Sequence, residues 1–264
     1  MLEQIAVKAP LYFLIAVRVF AMILTVPLLS TAAVSRVAKI ALAGYTAYLI
    51  LPHASYDVWN VDPYSLDYLF FIIGEGLIGV ITGFYVSMLF AAFSSAGQFF
   101  TYQMGFGASE VYDALSQVEN PLMGQYLNLL AMLLFLQVNG FQKLFLSGVT
   151  HSFESINCFA LLSAKDTFVK FLVGGLSRLF LDAMMIALPI IGTLFLISVS
   201  TGLLSKAAPQ MNLLSEGLPI TILCAFFLLT VLLPYMCNYF ERCFSTAFLR
   251  LEDLFSSLSP QAVM

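Results

Sequence analysis

Between Leu66 and Phe106 the chain is almost unbroken apolar sequence. Past Asp67 it carries a single charge, Glu75, before opening into a polar, glycine-containing stretch, GASEVYDALSQVENP. No soluble domain hides a continuous apolar run of that length. A bilayer or a large hydrophobic assembly does. One bilayer span needs roughly 20 residues, so the run is either a two-helix hairpin or one long tilted helix followed by a second.

The rest of the chain points the same way. It is 61% hydrophobic and 10% charged, with 25 Phe in 264 residues, against about 45–50% and 25% for a globular domain. So few charges cannot coat a water-soluble body of this size, and the expectation is an integral membrane protein. The net charge of −4 argues against nucleic-acid binding, which needs a basic patch. Cys158, Cys224, Cys237 and Cys243 form no C-x-x-C and are expected to be small packing residues. The first apolar stretch follows Glu3 and Lys8, contains Arg18 and lacks a small-residue cleavage site; it is expected to be retained.

Apolar stretches run over 9–34, 37–52, 66–105, 122–141, 144–163, 168–204 and 217–248. The second and fifth are short or interrupted. Lipid offers the backbone no hydrogen-bond partners, so the stretches are expected to be helices, about six of them long. They lack the alternation of a barrel. The fold class is therefore all-α, a polytopic helical membrane protein. Pro27, Pro189, Pro219 and Pro234, inside or at the ends of apolar runs, are expected to kink helices. The acidic connection 53–65 is expected outside, and the acidic loop 107–121 outside or lining an aqueous cavity. Arg36, Lys39 and Lys206 place 35–39 and 205–216 inside. Residues 168–250 have the texture of one helical hairpin around the turn LLSKAAPQMNLLSEGLP.

Gly74, Gly76 and Gly79 match the dinucleotide fingerprint G-x-G-x-x-G, but no acid stands about 20 residues on. In a membrane helix these glycines, Gly83 in G-x-x-x-G with Gly79, and then Ala92 and Ala96 imply close helix packing. Glu75 lies inside this patch. An acid at membrane depth faces protein or water; it either bridges segments or relays protons, and the bridging role is favoured. Arg178 and Asp182, four apart, share one helix face and are expected to neutralise each other. Arg18 has no local partner and is expected to pair with another segment or chain. His53 and His151 belong to no catalytic constellation, and no H-E-x-x-H or G-x-S-x-G occurs, so enzymatic activity is not expected. The stretch Gly105–Pro121, with Met104 and Phe106 at its root, is a plug or an ordinary connector.

The order of several blocks is distinctive. Arg18–Ser30 reads R-V-F-A-x-x-x-x-x-P-L-L-S, and Gly74–Gly79 reads G-E-x-x-I-G. Ala96–Phe106 reads A-G-Q-x-x-x-x-Q-M-G-F, Asn139–Gly140 reads N-G, and Ala208–Asn212 reads A-P-Q-M-N. In this order the chain resembles the FliR family of flagellar export-gate proteins over nearly its whole length, and more loosely the virulence secretion relatives of that family. It departs from the family's pattern at Ser35, at Asp113-Ala114 and at Phe141-Gln142, where local turn shapes differ.

The resemblance implies a FliP-like N-terminal half, 1–165, and a FliQ-like C-terminal hairpin, 166–264. It implies partners that are FliP-like and FliQ-like subunits, an FlhB-like protein, membrane lipid and unfolded flagellar substrate proteins. It implies no cofactor and a place in the bacterial inner membrane at the flagellar basal body. Met104, Gly105, Phe106, Gly107, Ala108, Ser109, Glu110 and Asp113 then belong to a plug loop, 105–121, that closes the pore at rest. Lys206, Pro209, Gln210, Met211 and Asn212 form a cytoplasmic turn that meets the FlhB-like partner. Arg18, Glu75, Arg178 and Asp182 are structural intramembrane charges. The alternatives are a secondary transporter with Glu75 as coupling acid, the equivalent subunit of a virulence secretion system, and, remotely, an intramembrane enzyme.

Overall fold

The computed structural model describes residues 2–52, 64–105, 122–155, 164–207 and 217–258, all in helices, turns or short connections with no strand among them. In chain order these are α1 (Leu2–Thr25), α2 (Pro27–Ser30), α3 (Arg36–Ile50), α4 (Leu66–Gln103), α5 (Leu122–Gln137), α6 (Gly140–Lys143), a π-helical stretch (Leu144–Thr150), α7 (His151–Ser155), α8 (Lys165–Ala207) and α9 (Leu218–Ser257). Six of the described helices have 15 residues or more: 24, 15, 38, 16, 43 and 40. Four are long and apolar enough to cross a membrane: Lys8–Thr25 within α1, and α4, α8 and α9.

The long apolar run is one continuous helix rather than a hairpin. At 1.5 Å per residue it is about 57 Å long, nearly twice a bilayer's hydrocarbon core. Pro10, Pro189 and Pro234 are internal to α1, α8 and α9, which continue through them, so none of these prolines ends a helix as a soluble-protein rule would have it. A membrane-embedded helix has nowhere else to satisfy its remaining amides. Pro27 does interrupt the chain, at the start of α2, and Pro219 sits in the first turn of α9, where its missing N–H has no intrahelical acceptor to lose.

The chain forms two compact units. The first comprises residues 1–88, 139–176 and 245–264; the second comprises 89–138 and 177–244.

In the first unit, Leu11, Leu14, Ile15, Arg18, Val19, Met22, Ile23 and Val26 are buried. Their three- and four-residue spacing is one helix stripe. α1 packs along α3, and the Tyr12 hydroxyl donates to the Gly44 carbonyl at 3.1 Å. Ser35 caps α3 by accepting from the Ala38 N–H. The Lys39 ammonium donates to the carbonyls of Ser30 and Thr31, at 2.8 and 3.1 Å, and so satisfies the end of α2. The glycine patch of α4 packs on α1. A Cβ at Gly79 would overlap the Arg18 carbonyl and one at Gly83 the Thr25 hydroxyl, so the G-x-x-x-G spacing is there to let two backbones touch. The Ser87 hydroxyl donates to the Thr25 carbonyl at 2.6 Å, close to where Pro27 interrupts the ladder.

In the second unit, the buried rings of Phe90, Phe93, Phe135, Phe240 and Phe244 join α4, α5 and α9. Phe93 stacks on Phe240 at 4.0 Å, and Phe244 meets Phe90, Phe93 and Phe135 at 5.3–5.5 Å. Gly97 lies against the backbone of Met123 and Gly124, where a Cβ would come within 2.5–2.6 Å, and a Cβ at Gly124 would press on Ser94 at 3.0 Å.

Candidate functional site

The intramembrane charges are held in two places. In the first unit, Arg18 of α1 is buried and donates from Nε to the Glu75 carboxylate of α4 at 2.6 Å, with Nη2 2.5 Å from the same oxygen. Nη1 donates to the Ser152 hydroxyl of α7 at 2.8 Å. The Ser152 hydroxyl in turn donates to the Val149 carbonyl at 2.7 Å. The guanidinium lies 3.6 Å above the Phe153 ring, a cation–π contact strengthened where water is excluded. One cation thus ties three elements together and is compensated on several sides, as a buried charge must be. The π-helical turn before α7 changes the phase of the chain, so that Ser152 and Phe153 both face this cation; such turns recur at sites with a demand of this kind.

In the second unit, Arg178 Nε lies 3.7 Å from Asp182 Oδ1, one turn along α8. The Tyr239 hydroxyl of α9 donates to the same oxygen at 2.9 Å, so the i,i+4 pair also pins the hairpin. Arg178 is 46% exposed while Asp182 is shut in.

The root of the expected plug loop is settled by packing. Met104 is wholly buried. Its N–H donates to the Phe100 carbonyl, and the Gly105 N–H donates to that of Tyr102. Gly105 has φ +90°, the left-handed ending that only glycine adopts at no cost. A Cβ there would sit 2.7 Å from Leu218. Phe106, Gly107, Ala108, Ser109, Glu110 and Asp113 lie outside the described residues, as do Pro209, Gln210, Met211 and Asn212 of the turn. Lys206 is exposed at the end of α8.

Ser152, Phe153 and Tyr239 are the partners that the sequence did not announce. Only the need of Arg18 and Asp182 for compensation pointed to them, and nothing in their own neighbourhoods did.

Residues 9–247 match the family of bacterial export proteins, family 1. The chain is 32% identical over 248 residues to the flagellar biosynthetic protein FliR of Escherichia coli (strain K12), covering 94% of each. It is 28% identical over 254 residues to the flagellar biosynthetic protein FliR of Bacillus subtilis (strain 168), covering 94% of this chain and 91% of that one. It is 28% identical over 162 residues to the surface presentation of antigens protein SpaR of Shigella sonnei, covering 61% and 62%.

Proposed function

The chain belongs to the bacterial export proteins, family 1, and from that premise we propose that it is a non-enzymatic subunit of the flagellar type III export gate. In this role it lines part of the channel through which unfolded flagellar proteins pass, at the basal body in the bacterial inner membrane. The observation that carries the reading is the likeness to flagellar relatives along nearly the full length of both chains, against a partial match to the virulence relative. Those flagellar relatives also favour the flagellar system over the virulence one.

The bare surface of the helices supports a gate built from several subunits. Of the most apolar windows of α8 and α9, 33% and 22% respectively is buried. Phe180, Met185, Leu196, Leu203, Leu223, Phe227 and Tyr235 are exposed along them. Much more apolar surface than a soluble monomer shows calls for lipid or neighbouring subunits. In the proposed gate those neighbours are FliP-like chains beside 1–165 and FliQ-like chains beside the hairpin 166–264. An FlhB-like chain meets the turn 205–216, and the segment 105–121 acts as the plug. The ion pair of Glu75 with Arg18 speaks for a structural acid and against a coupling acid.

Removal of the gene should abolish motility and flagellar protein secretion, and a tagged copy should restore both. That copy, extracted gently from membranes, should bring FliP-like and FliQ-like chains with it. A tagged chain that purifies as a long-lived monomer and moves a solute on its own would instead establish a secondary transporter.

A further inference from the structure

The first unit holds a cleft of about 440 Å³ between the start of α8 and the end of α9, lined by Lys170, Arg250, Asp253, Thr167, Gly174 and the ring of Tyr85 among others. The volume is within the range of small-ligand sites. Its chemistry is unusual for so apolar a chain. Two cations and one carboxylate, from two helices, face one space, and none makes an ion pair with another described residue. The back wall is aromatic, with Tyr85 against Phe171 at 4.5 Å. The open side is kept by Gly174, where a Cβ would meet nothing within 4 Å. Val169, Val173 and Leu249, each next in sequence to a residue that lines the cleft, expose apolar surface.

We propose that this cleft binds the headgroup of a membrane phospholipid that carries both a phosphate and an ammonium group. Lys170 and Arg250 donate to the phosphate oxygens and the Thr167 hydroxyl adds a third donor, while the Asp253 carboxylate accepts from the ammonium. The acyl chains run over Val169, Val173 and Leu249. Lys170 is five residues into α8, about 7.5 Å from its first residue. Long cationic side chains at such a depth extend toward the headgroup layer. The presence of an acid in the same cleft as the cations is the feature that selects a zwitterionic headgroup over a purely anionic one, because the Asp253 carboxylate attracts the ammonium of the former and finds no cation on the latter.

The test is native mass spectrometry of the full-length chain, in whatever complex it is extracted from membranes, after titration with phosphatidylethanolamine or phosphatidylglycerol of matched acyl chains. Phosphatidylethanolamine is expected to be retained more strongly. Lys170→Ala with Arg250→Ala should weaken that retention by about thirtyfold, at a usual contribution for two cations near a membrane surface. Asp253→Asn should erase the preference between the two lipids. Gly174→Leu, which adds a side chain where a Cβ meets nothing within 4 Å, should block retention while leaving the melting temperature unchanged. Equal lipid retention by the parent, the double variant and Gly174→Leu would overturn the proposal. So would displacement of the lipid by soluble phosphoethanolamine at equal concentration, which would make the cleft a site for the free headgroup. Loss of a co-purifying subunit, with lipid retention intact, would assign the cleft to a protein contact and overturn it equally.

Discussion

Arg18 and Glu75 are 57 residues apart in sequence and meet at 2.6 Å with both side chains sealed from solvent. Their pairing fixes the crossing of α1 and α4, and Gly79, one turn beyond Glu75, lets the α4 backbone lie against Arg18's own carbonyl. The charge pair and the glycine patch are parts of one joint. Breaking a buried pair by removing one partner costs about 3–5 kcal/mol, because the other charge is stranded. Arg18→Ala and Glu75→Ala are each expected to lower the melting temperature and the membrane yield sharply. The double variant Arg18→Met with Glu75→Met should cost much less than the sum of two single losses. Additive losses in a double-mutant cycle would mean that the two groups do not act as a pair. A Glu75→Gln chain that assembles normally yet exports nothing would return the acid to proton relay.

The glycines of α4 and α8 make opposite predictions. Gly79→Val places atoms on the Arg18 carbonyl and Ala21, so the chain itself should misfold or be degraded. At Gly192 of α8 a Cβ meets nothing within 4 Å. Gly192→Leu should leave the chain's yield and melting unchanged, and its effect should appear only where a neighbouring subunit lies on that face. Blue-native electrophoresis of both variants, beside immunoblots of total chain, separates the two outcomes. Loss of total chain from Gly192→Leu alone would show that this face is packed within the chain.

The aromatic cluster makes a third contrast. Phe244 touches three other rings in the second unit, and truncating such a side chain costs about 3–5 kcal/mol. Phe227, on the same helix, is 68% exposed. Phe244→Ala should destabilise the isolated chain in detergent by several kcal/mol and Phe227→Ala by under about 0.5 kcal/mol. Similar losses from both would mean that detergent-solubilised α9 does not keep this packing.

The all-helical class, the long helices and the small-residue packing of Gly79 and Gly83 were legible because each is a local pattern. Apolar length sets the spans, and a four-residue glycine spacing sets one face of a helix. Arg178 and Asp182 were legible for the same reason, being one turn apart. Arg18 announced that it needs a partner but not which one, since periodicity within α1 says nothing about Glu75 in α4. Ser152 and Phe153 reach Arg18 from just beyond a π-helical turn, and LFLSGVT bears no mark of one. Pro189 and Pro234 lie inside α8 and α9, as the unbroken apolar sequence on both sides of each implies.

The loop from Gly105 to Pro121 gives the last prediction, which rests on the proposed gate. Its root is fixed: Met104 is buried and Gly105 turns the chain at φ +90° against Leu218. The direction in which the segment leaves α4 is therefore set by glycine, and its acids, Glu110, Asp113 and Glu119, favour an aqueous surrounding. A pore seal that few residues form costs little to open, and a passing polypeptide can displace it. Deleting Ala108–Ser116 should leave the complex assembled and make it leaky to small ions, seen as raised conductance in a planar bilayer. Gly105→Val should mimic part of this leak, because a β-branched residue at that φ is strained by about 1–3 kcal/mol and its Cβ meets Leu218. A deletion complex that assembles fully and stays as tight as the parent would make the segment a connector, with the seal elsewhere in the gate.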